Sequence, residues 1–472
     1  MITPSRIQHS NGDGDGGDGL WAPERRLLTA GLVMTITFVA AEALAVVTVM
    51  PVVARDLGGI RLYGWVFSAF MLGSLIGIVG AGRSADRDGP ARPYIAGLVL
   101  FGSGLLVAGL APSMEVLVLG RALQGLGAGA IPAVAYVAIG RSLPDHLRPR
   151  MMAVLSTAWV VPGLVGPALS AAVEEQASWR WVFLGLLPLV SISGPIAIPA
   201  LVRLGPPKAT HEAEHRMIDG TRAAAGTGLV LGGLTSTNVL LAAALIGLGF
   251  AVGFPALRRL LPVGTLVARQ GLPATILSRG LLTFAFFGAD AFVTLAITTV
   301  RHETTTFAGA AVTGATLSWT VGSWIQNHLS RAWQGRRLFR VGLALILAGI
   351  AGMASVLRAD VPVGAAIAAW AVAGLGMGIA YAPLSLMMLR VAPPGREGWA
   401  SASLNLSDVL GIAIGVGLGG AAVAAADEIA TGVAVAFALA AASAISGLAL
   451  SGRLPFDESI VERGQDLVRE PL

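Results

Sequence analysis

The sequence predicts an all-α polytopic membrane protein, on the evidence of its composition, its apolar runs and the placement of its arginines. Of the 472 residues, 55% are hydrophobic and 12% are charged, and the mean hydropathy is +0.75. A soluble chain carries about 25% charged residues, and one of this size could not bury so much apolar surface. The 62 glycines suit helices whose backbones approach closely inside lipid.

Apolar runs of about 20 residues, the length that crosses the hydrocarbon core, follow one another along the chain. Twelve candidate helices form two groups of six, near 28–53, 63–82, 93–112, 115–139, 150–173 and 181–202, and near 279–300, 306–328, 340–358, 361–388, 400–425 and 429–451. Residues 221–257 between the groups are also largely apolar. They could form one long helix, or a tight pair at 221–235 and 237–257.

The arginines favour the pair of helices. The sixth helix ends near Arg203, and the segment after residue 257 has no acid and four arginines, namely Arg258, Arg259, Arg269 and Arg279. Basic residues concentrate on the cytoplasmic side of membrane proteins, so both segments are predicted to be cytoplasmic. An even number of crossings must then separate them, which gives fourteen spans in total.

The predicted organisation is two six-helix bundles with two extra helices between them. Its segments are a disordered, Gly- and Asp-rich cytoplasmic tail (1–27), the N-terminal bundle (28–203), a cytoplasmic loop (204–220), two linker helices (221–257), a cytoplasmic loop (258–278), the C-terminal bundle (279–452) and a cytoplasmic tail (453–472). Both termini are therefore expected in the cytoplasm.

A loop signature lies between the second and third candidate helices. Its residues are Gly82, Asp86, Arg87, Gly89 and Arg92. A glycine permits a tight turn, and a carboxylate can bond a helix end and pair with a nearby arginine. The segment resembles the Gly-x-x-x-Asp-Arg-x-Gly-Arg-Arg signature of the major facilitator superfamily. The resemblance implies a conformational latch that is made in one state of the carrier and broken in the other.

An arginine lies well inside the fourth candidate helix. Arg121 and Gln124 precede the small-residue run 125–129, in an order similar to the Arg-x-x-Gln-Gly-x-Gly signature of the same superfamily. Placing an arginine in the middle of a spanning helix costs about 2.5–3.5 kcal/mol on insertion scales. We therefore expect Arg121 to have a carboxylate or carbonyl partner, and the small residues to let a neighbouring helix approach.

Two further segments resemble one branch of that superfamily. Gly163, Gly166 and Pro167 are similar to the Gly-x-x-Gly-Pro signature of its proton-driven exporters, where glycine and proline together form a kink or a flat packing face. Glu42, nine residues before Pro51, stands where the 14-helix drug:proton antiporters have aspartate. The resemblance implies the major facilitator fold, in which two related six-helix halves rock about a central site.

Three acids lie deep in apolar candidate helices: Glu42, Asp290 and Asp408. A carboxyl group in a low dielectric favours its neutral form, so it can take up and release a proton as a carrier requires. We hypothesise that Glu42 and Asp290 carry the coupling proton, that Arg121 tunes one of them, and that Asp290 also contacts cationic substrates. Asp408 is only about ten residues from a loop, so it could equally be a helix-end carboxylate that faces water.

Composition excludes several other kinds of site. The chain has no cysteine, and its single lysine, Lys208, is not part of a phosphate-binding Gly-x-x-x-x-Gly-Lys motif. All six histidines fall in loops or at predicted helix ends. We therefore expect no enzyme activity, no catalytic residues, no metal and no cofactor other than a proton gradient. The basic residues lie between apolar segments rather than on one face, so nucleic-acid binding is not predicted.

The resulting functional hypothesis is a proton-coupled secondary transporter that exports small amphipathic or drug-like molecules by alternating access. The expected partners are a small-molecule substrate, protons and the lipid bilayer, and the resemblance implies a monomer in a bacterial plasma membrane. A carrier of one lipid, siderophore or metabolite with the same fold is an alternative. A membrane sensor or scaffold without transport is a second alternative, although it leaves the cost of the buried acids unexplained.

Overall fold

The computed structural model describes residues 19–144, 146–205, 213–330, 332–393 and 396–455. All regular secondary structure in these residues is helical. The first part of the chain contains α1 (Arg26–Asp56), α2 (Tyr63–Asp88), α3 (Ala91–Gly109), α4 (Met114–Ser142), α5 (Arg148–Thr157), α6 (Val160–Gln176), α7 (Arg180–Leu184) and α8 (Leu186–Arg203). A central pair follows, α9 (Ala213–Thr235) and α10 (Val239–Leu260). The last part contains α11 (Leu272–Leu295), α12 (Thr305–Leu329), α13 (Gly335–Val356), α14 (Ala365–Val391), α15 (Glu397–Ala425) and α16 (Ile429–Leu450).

The helices agree with an all-α polytopic membrane protein. Eleven segments in the described residues are long and apolar enough to cross a bilayer. The three other crossings expected from the sequence correspond to the broken pair α5–α6, to α9 and to α12, so the predicted total of fourteen is approximately matched.

We call the end of the molecule with the α2–α3, α4–α5 and α10–α11 connections the basic end, and the other end the opposite end.

Some helices begin earlier than their apolar runs. The helix α9 begins at Ala213, inside the segment expected to be a loop, and α11 begins at Leu272 rather than near residue 279. Pro273 lies in the first turn of α11, where a missing amide proton costs no hydrogen bond.

The N-terminal tail is described only from Gly19. There Leu20 is buried and its carbonyl accepts a hydrogen bond from Thr29. Most of both predicted tails, 1–18 and 456–472, lies outside the described residues.

The fifth crossing is interrupted at residues 158–159, between α5 and α6. Pro162 follows within one turn, and proline has no amide proton and clashes with the carbonyl four residues before it. The break therefore lies one turn before the residues expected to form a kink. Gly163 and Gly166 follow it, and Pro167 lies inside α6 without ending the helix.

The helices α4 and α14 occupy equivalent places in the two bundles. Gly125 and Gly129 of α4 lie so close to the backbone of α2 that no Cβ would fit. Gly374 and Gly378 of α14 lie equally close to the backbone of α12. The two pairs are each 249 residues apart, so the same glycine spacing builds the same helix contact in both halves. The chain is thus an internally repeated structure, as expected for two related six-helix halves.

The two bundles meet along two seams, one between α2 and α15 and one between α6 and α12. A Cβ on Gly64 would lie 2.6 Å from the Cα of Gly420, and one on Gly309 would lie 3.1 Å from the carbonyl oxygen of Pro167. At the opposite end of the second seam, Glu175 accepts a 2.7 Å hydrogen bond from the Thr306 hydroxyl. The bundles are therefore in direct contact at the opposite end.

The linker hairpin α9–α10 packs beside the α2–α15 seam. Its two helices touch through glycines, with Gly226 against Gly253. Trp65 of α2 donates to the Thr235 hydroxyl of α9 at 3.1 Å, and Leu231 of α9 lies on Gly417 of α15. The helix α9 therefore contacts both bundles, whereas α10 presents most of its apolar side chains outward, where lipid would cover them.

Gly64→Val is expected to open the contact at the opposite end. The added Cβ would meet backbone atoms of Gly420 and Val416, which no side-chain rotation can relieve. Because the chain has no cysteine, Glu175→Cys with Thr306→Cys supplies a single thiol pair. Oxidative crosslinking of this pair should fall severalfold when Gly64→Val is added. Gly247→Val is the control, since nothing lies within 4 Å of its Cβ position. Unchanged crosslinking in Gly64→Val would contradict the prediction.

Candidate functional site

Glu42 of α1 and Arg121 of α4 form a buried ion pair in the N-terminal bundle. The Arg121 guanidinium donates to Glu42 Oε1, to Gln124 Oε1 at 2.7 Å and to the Val66 carbonyl at 3.2 Å. It also lies over the Phe70 ring, 4.3 Å from the centroid. Both charged side chains are almost completely buried. Arg121 thus has the carboxylate and carbonyl partners that its position in a spanning helix requires.

Asp290 of α11 has a different kind of partner. Its side chain is 8% exposed, and Oδ1 accepts a 2.7 Å hydrogen bond from the indole nitrogen of Trp370 in α14. Trp370 itself is completely buried. Within the described part of the chain, no basic side chain lies within 4.0 Å of Asp290. The deepest acid of the C-terminal bundle is therefore held by a neutral donor.

Other helices of both bundles approach Asp290. The Tyr63 hydroxyl of α2 donates to the carbonyl of Ala291 at 2.8 Å. The Thr294 hydroxyl, one turn further along α11, donates to the Val47 carbonyl of α1 at 2.8 Å. These two hydrogen bonds cross between the bundles. Asp290 therefore lies beside the boundary between the two bundles.

Asp408 of α15 is paired with Arg279 of α11. The Arg279 Nε donates to Oδ1 at 2.9 Å, and the Tyr381 hydroxyl donates to Oδ2 at 2.9 Å. Arg279 also donates to the Tyr381 carbonyl at 2.8 Å and is only 3% exposed. Arg279, expected at the start of a helix and counted with the cytoplasmic arginines, instead lies two turns inside α11, which begins at Leu272. Asp408 is an ion-paired group inside the bundle, not a carboxylate that faces water.

Four aromatic rings connect the two acid sites of the C-terminal bundle. Trp370 stacks on Phe286, with centroids 5.2 Å apart and ring planes at 16°. Phe286 contacts Trp319 edge to face at 5.6 Å, and Trp319 contacts Tyr381 at 5.7 Å. The chain of rings begins at the donor to Asp290 and ends at the donor to Asp408. It forms a continuous aromatic contact between the two carboxyl groups.

The loop signature forms a different ion pair from the one expected. Asp88, rather than Asp86, accepts a 3.1 Å hydrogen bond from Arg92 across the turn. Gly89 between them has φ +84°, a conformation that glycine adopts without strain. Asp86 and Arg87 are exposed. The role of this loop as a latch stays a prediction.

The residues expected to form a kink lie at the seam with the C-terminal bundle. Gly163 faces Thr316 of α12 so closely that a Cβ would overlap it, and the Pro167 carbonyl faces Gly309. Gly166 faces α1, with the Leu44 Cβ 3.9 Å from its Cβ position. Gly82, near the basic end of α2, has no neighbour within 4 Å of its Cβ position. Gly163 and Pro167 thus pack against α12, whereas Gly166 faces α1.

Sequence reasoning identified the three acids and Arg121, but it missed Arg279, Trp370 and Tyr381. Two signals in the sequence could have found Arg279 and Trp370. The Gly271-Leu272-Pro273 start places Arg279 two turns inside a helix. The matching glycine runs of α4 and α14 place Trp370 at the position of Arg121.

Comparison with known proteins is consistent with this architecture. The family model for the Major Facilitator Superfamily matches residues 28–416. A probable multidrug-efflux transporter of Mycobacterium tuberculosis is 29% identical over 390 residues, which cover 77% of this chain and 80% of that protein.

Solved structures show the same fold. The chain is similar to the peptide transporter POT in complex with sulfate, with a TM-score of 0.67 and 15% identity over 89% of this chain and 93% of that one. It is also similar to the human organic anion transporter MFSD10, with a TM-score of 0.60 and 13% identity over 91% and 99%. At these identities the structures support the fold alone. Since the family model covers most of the chain, the protein belongs to the major facilitator superfamily of membrane transporters.

Proposed function

We propose that the chain exports small amphipathic compounds, preferentially aromatic cations, in exchange for protons. The observation that supports this proposal is the environment of Asp290, a buried carboxyl group bound by a neutral indole N–H and adjoining a chain of aromatic rings. The Mycobacterium tuberculosis relative is named a multidrug-efflux transporter, and export of drug-like molecules by this chain is an extension of that likeness.

The proposed exchange is a competition for one carboxyl group. With a proton on Asp290 the site is neutral, and without it the carboxylate can face a cationic substrate while aromatic faces contact the rest of the molecule. Binding of a cation then releases the proton, and binding of a proton releases the cation. Because only one of the two ligands is bound at a time, proton entry can drive substrate exit as the bundles rock.

The other charged groups have supporting roles in this scheme. Glu42 is paired with Arg121 in this conformation, so we assign it to exchange only when that pair opens in the alternate state. The Arg279–Asp408 pair lies closer to the basic end and restrains α11, α14 and α15 there. The loop residues 82–92 are proposed to act as the latch between states.

The proposed orientation places the basic end in the cytoplasm of a bacterium, with the chain in the plasma membrane and both termini inside. The concentration of arginines in the connections at the basic end supports this orientation. We propose that the monomer is the working unit, because both bundles and both acid sites are formed by one chain.

The test combines transport in cells with proton flux in proteoliposomes. Cells that express the protein should accumulate less ethidium than control cells, and an uncoupler should remove the difference. In proteoliposomes, Asp290→Asn should abolish ethidium-driven proton flux, and Glu42→Gln should reduce it. Asp360→Asn is the matched control, because Asp360 is an exposed acid paired with Arg358. Wild-type proton flux in Asp290→Asn would overturn the proposal. No uncoupler-sensitive transport across a panel of cationic dyes would instead favour a specific metabolite carrier or a sensor.

A further inference from the structure

The internal repeat relates the two buried carboxyl sites to each other. Arg121 lies four residues before the α4 glycine run, and Trp370 lies four residues before the α14 run, 249 residues later. Arg121 donates from α4 to Glu42 on α1, and Trp370 donates from α14 to Asp290 on α11. Each half therefore presents a donor from its fourth helix to a carboxyl group on its first helix.

Contacts with the third helix of each half support this register independently. A Cβ on Gly104 of α3 would lie 2.5 Å from the amide nitrogen of Gln124, and one on Gly349 of α13 would lie 2.8 Å from the amide nitrogen of Ala373. Gln124 and Ala373 are again 249 residues apart. The alignment of Arg121 with Trp370 is thus a property of the packed helices as well as of the glycine pattern.

Each donor lies against an aromatic ring, but the two donors differ in charge. The Arg121 guanidinium lies over the Phe70 ring at 4.3 Å, and the Trp370 indole stacks on the Phe286 ring at 5.2 Å. Both are buried and both hold one carboxylate oxygen. The guanidinium supplies a full positive charge that stabilises an ionised partner, whereas the indole supplies a hydrogen bond alone.

No other described group supplies the missing charge near Asp290. From α2, the facing titratable group is Tyr63, which donates to the adjacent Ala291 carbonyl. From α1, the contact with this part of α11 is the hydrogen bond from Thr294 to the Val47 carbonyl. From α15, Gly415 packs against Gly288. The charge difference between the two sites therefore depends on the residue at position 370.

We propose that Trp370 keeps the Asp290 carboxyl group able to exchange a proton in this conformation, because it places no charge beside that group. It fixes the Asp290 carboxyl group by a hydrogen bond while leaving the site without a cation, at the place where the N-terminal bundle neutralises its carboxylate with Arg121. An arginine at position 370 would convert the exchanging site into an ion pair like that of Glu42 and Arg121. This inference rests on the proposed role of Asp290 in exchange.

The test measures protons released when ethidium is added to the purified full-length protein in weakly buffered detergent solution, with a pH-indicator dye. The variants are Trp370→Arg, Trp370→Phe and Asp290→Asn, each first shown to be monodisperse and to unfold at a temperature near that of the wild type. Wild type and Trp370→Phe should release protons, because position 370 stays uncharged. Trp370→Arg should lose the release. Trp370→Phe also separates charge from packing, because it removes the N–H and keeps a ring on Phe286.

The outcomes distinguish this inference from the proposed function. If Asp290→Asn releases as many protons as the wild type, Asp290 does not exchange a proton for the cation. That result would overturn both the proposed function and the inference. Loss of release in Asp290→Asn with normal release in folded Trp370→Arg would overturn the inference alone. Equal loss in folded Trp370→Phe and Trp370→Arg would also overturn it, because packing rather than charge would then be the cause. If Trp370→Arg does not fold, Trp370→Gln is measured in its place. Glutamine is an uncharged hydrogen-bond donor, so this variant should still release protons. Loss of proton release in folded Trp370→Gln would count against the inference.

Discussion

Replacing Arg121 by leucine is expected to lower the free energy of unfolding by about 3–5 kcal/mol, the range for removal of one partner from a buried ion pair. The loss arises because Glu42 would remain in the bundle without its guanidinium partner, and because the hydrogen bonds to Gln124 and to the Val66 carbonyl would also disappear. The free energy can be measured by unfolding titrations with SDS in mixed micelles.

The double variant provides the control for this prediction. Glu42→Gln combined with Arg121→Leu removes both charges, so part of the lost stability should return relative to Arg121→Leu alone. An Arg121→Leu protein as stable as the wild type would contradict the assignment of a buried pair. A double variant less stable than Arg121→Leu would show that the pair itself is not the source of the loss.

Replacing Arg279 by leucine is expected to destabilise the C-terminal bundle by an amount in the same range, about 3–5 kcal/mol. Asp408 would then keep only the Tyr381 hydroxyl as a partner. The effect of Tyr381→Phe should be smaller, about 1.5–3 kcal/mol, because it removes one hydrogen bond to a charged group and leaves the ion pair. The same SDS titrations measure both.

An exposed ion pair supplies the comparison for Arg279. Arg358 and Asp360 are paired at 2.8 Å, and both side chains are mostly exposed, so Arg358→Leu should change the stability by no more than about 1 kcal/mol. If Arg279→Leu behaved like Arg358→Leu, water would have to reach Asp408, and its placement inside the bundle would be incorrect.

The general architecture is encoded in simple features of the sequence. Lipid demands long apolar helices, so the spans can be identified from hydropathy. Helix ends are less predictable, because a charged residue within an apolar run resembles the end of that run, as Arg279 does after the mostly apolar residues 272–278. Arg279 was therefore expected at the first position of its helix, although it lies two turns inside α11.

The candidate site was only partly predictable for a related reason. A carboxyl group in an apolar run is visible in the sequence, as for Glu42 and Asp290, but its partner is chosen by packing between distant helices. Trp370 is 80 residues from Asp290 along the chain, and a buried tryptophan resembles any core residue until its N–H is placed. The glycine runs were the available guide, because close helix contacts fix the register of the side chains beside them.

The position of α9 has a consequence for the speed at which the carrier changes its accessible side. This helix is bonded to α2 through Trp65 and packed on α15 through Leu231, so it must shift whenever those two helices slide past each other. We expect these contacts to resist that sliding, at a distance from the proposed site at Asp290. We expect changes in the fit of this peripheral helix to alter the rate of turnover and to leave the preference for cargo unchanged.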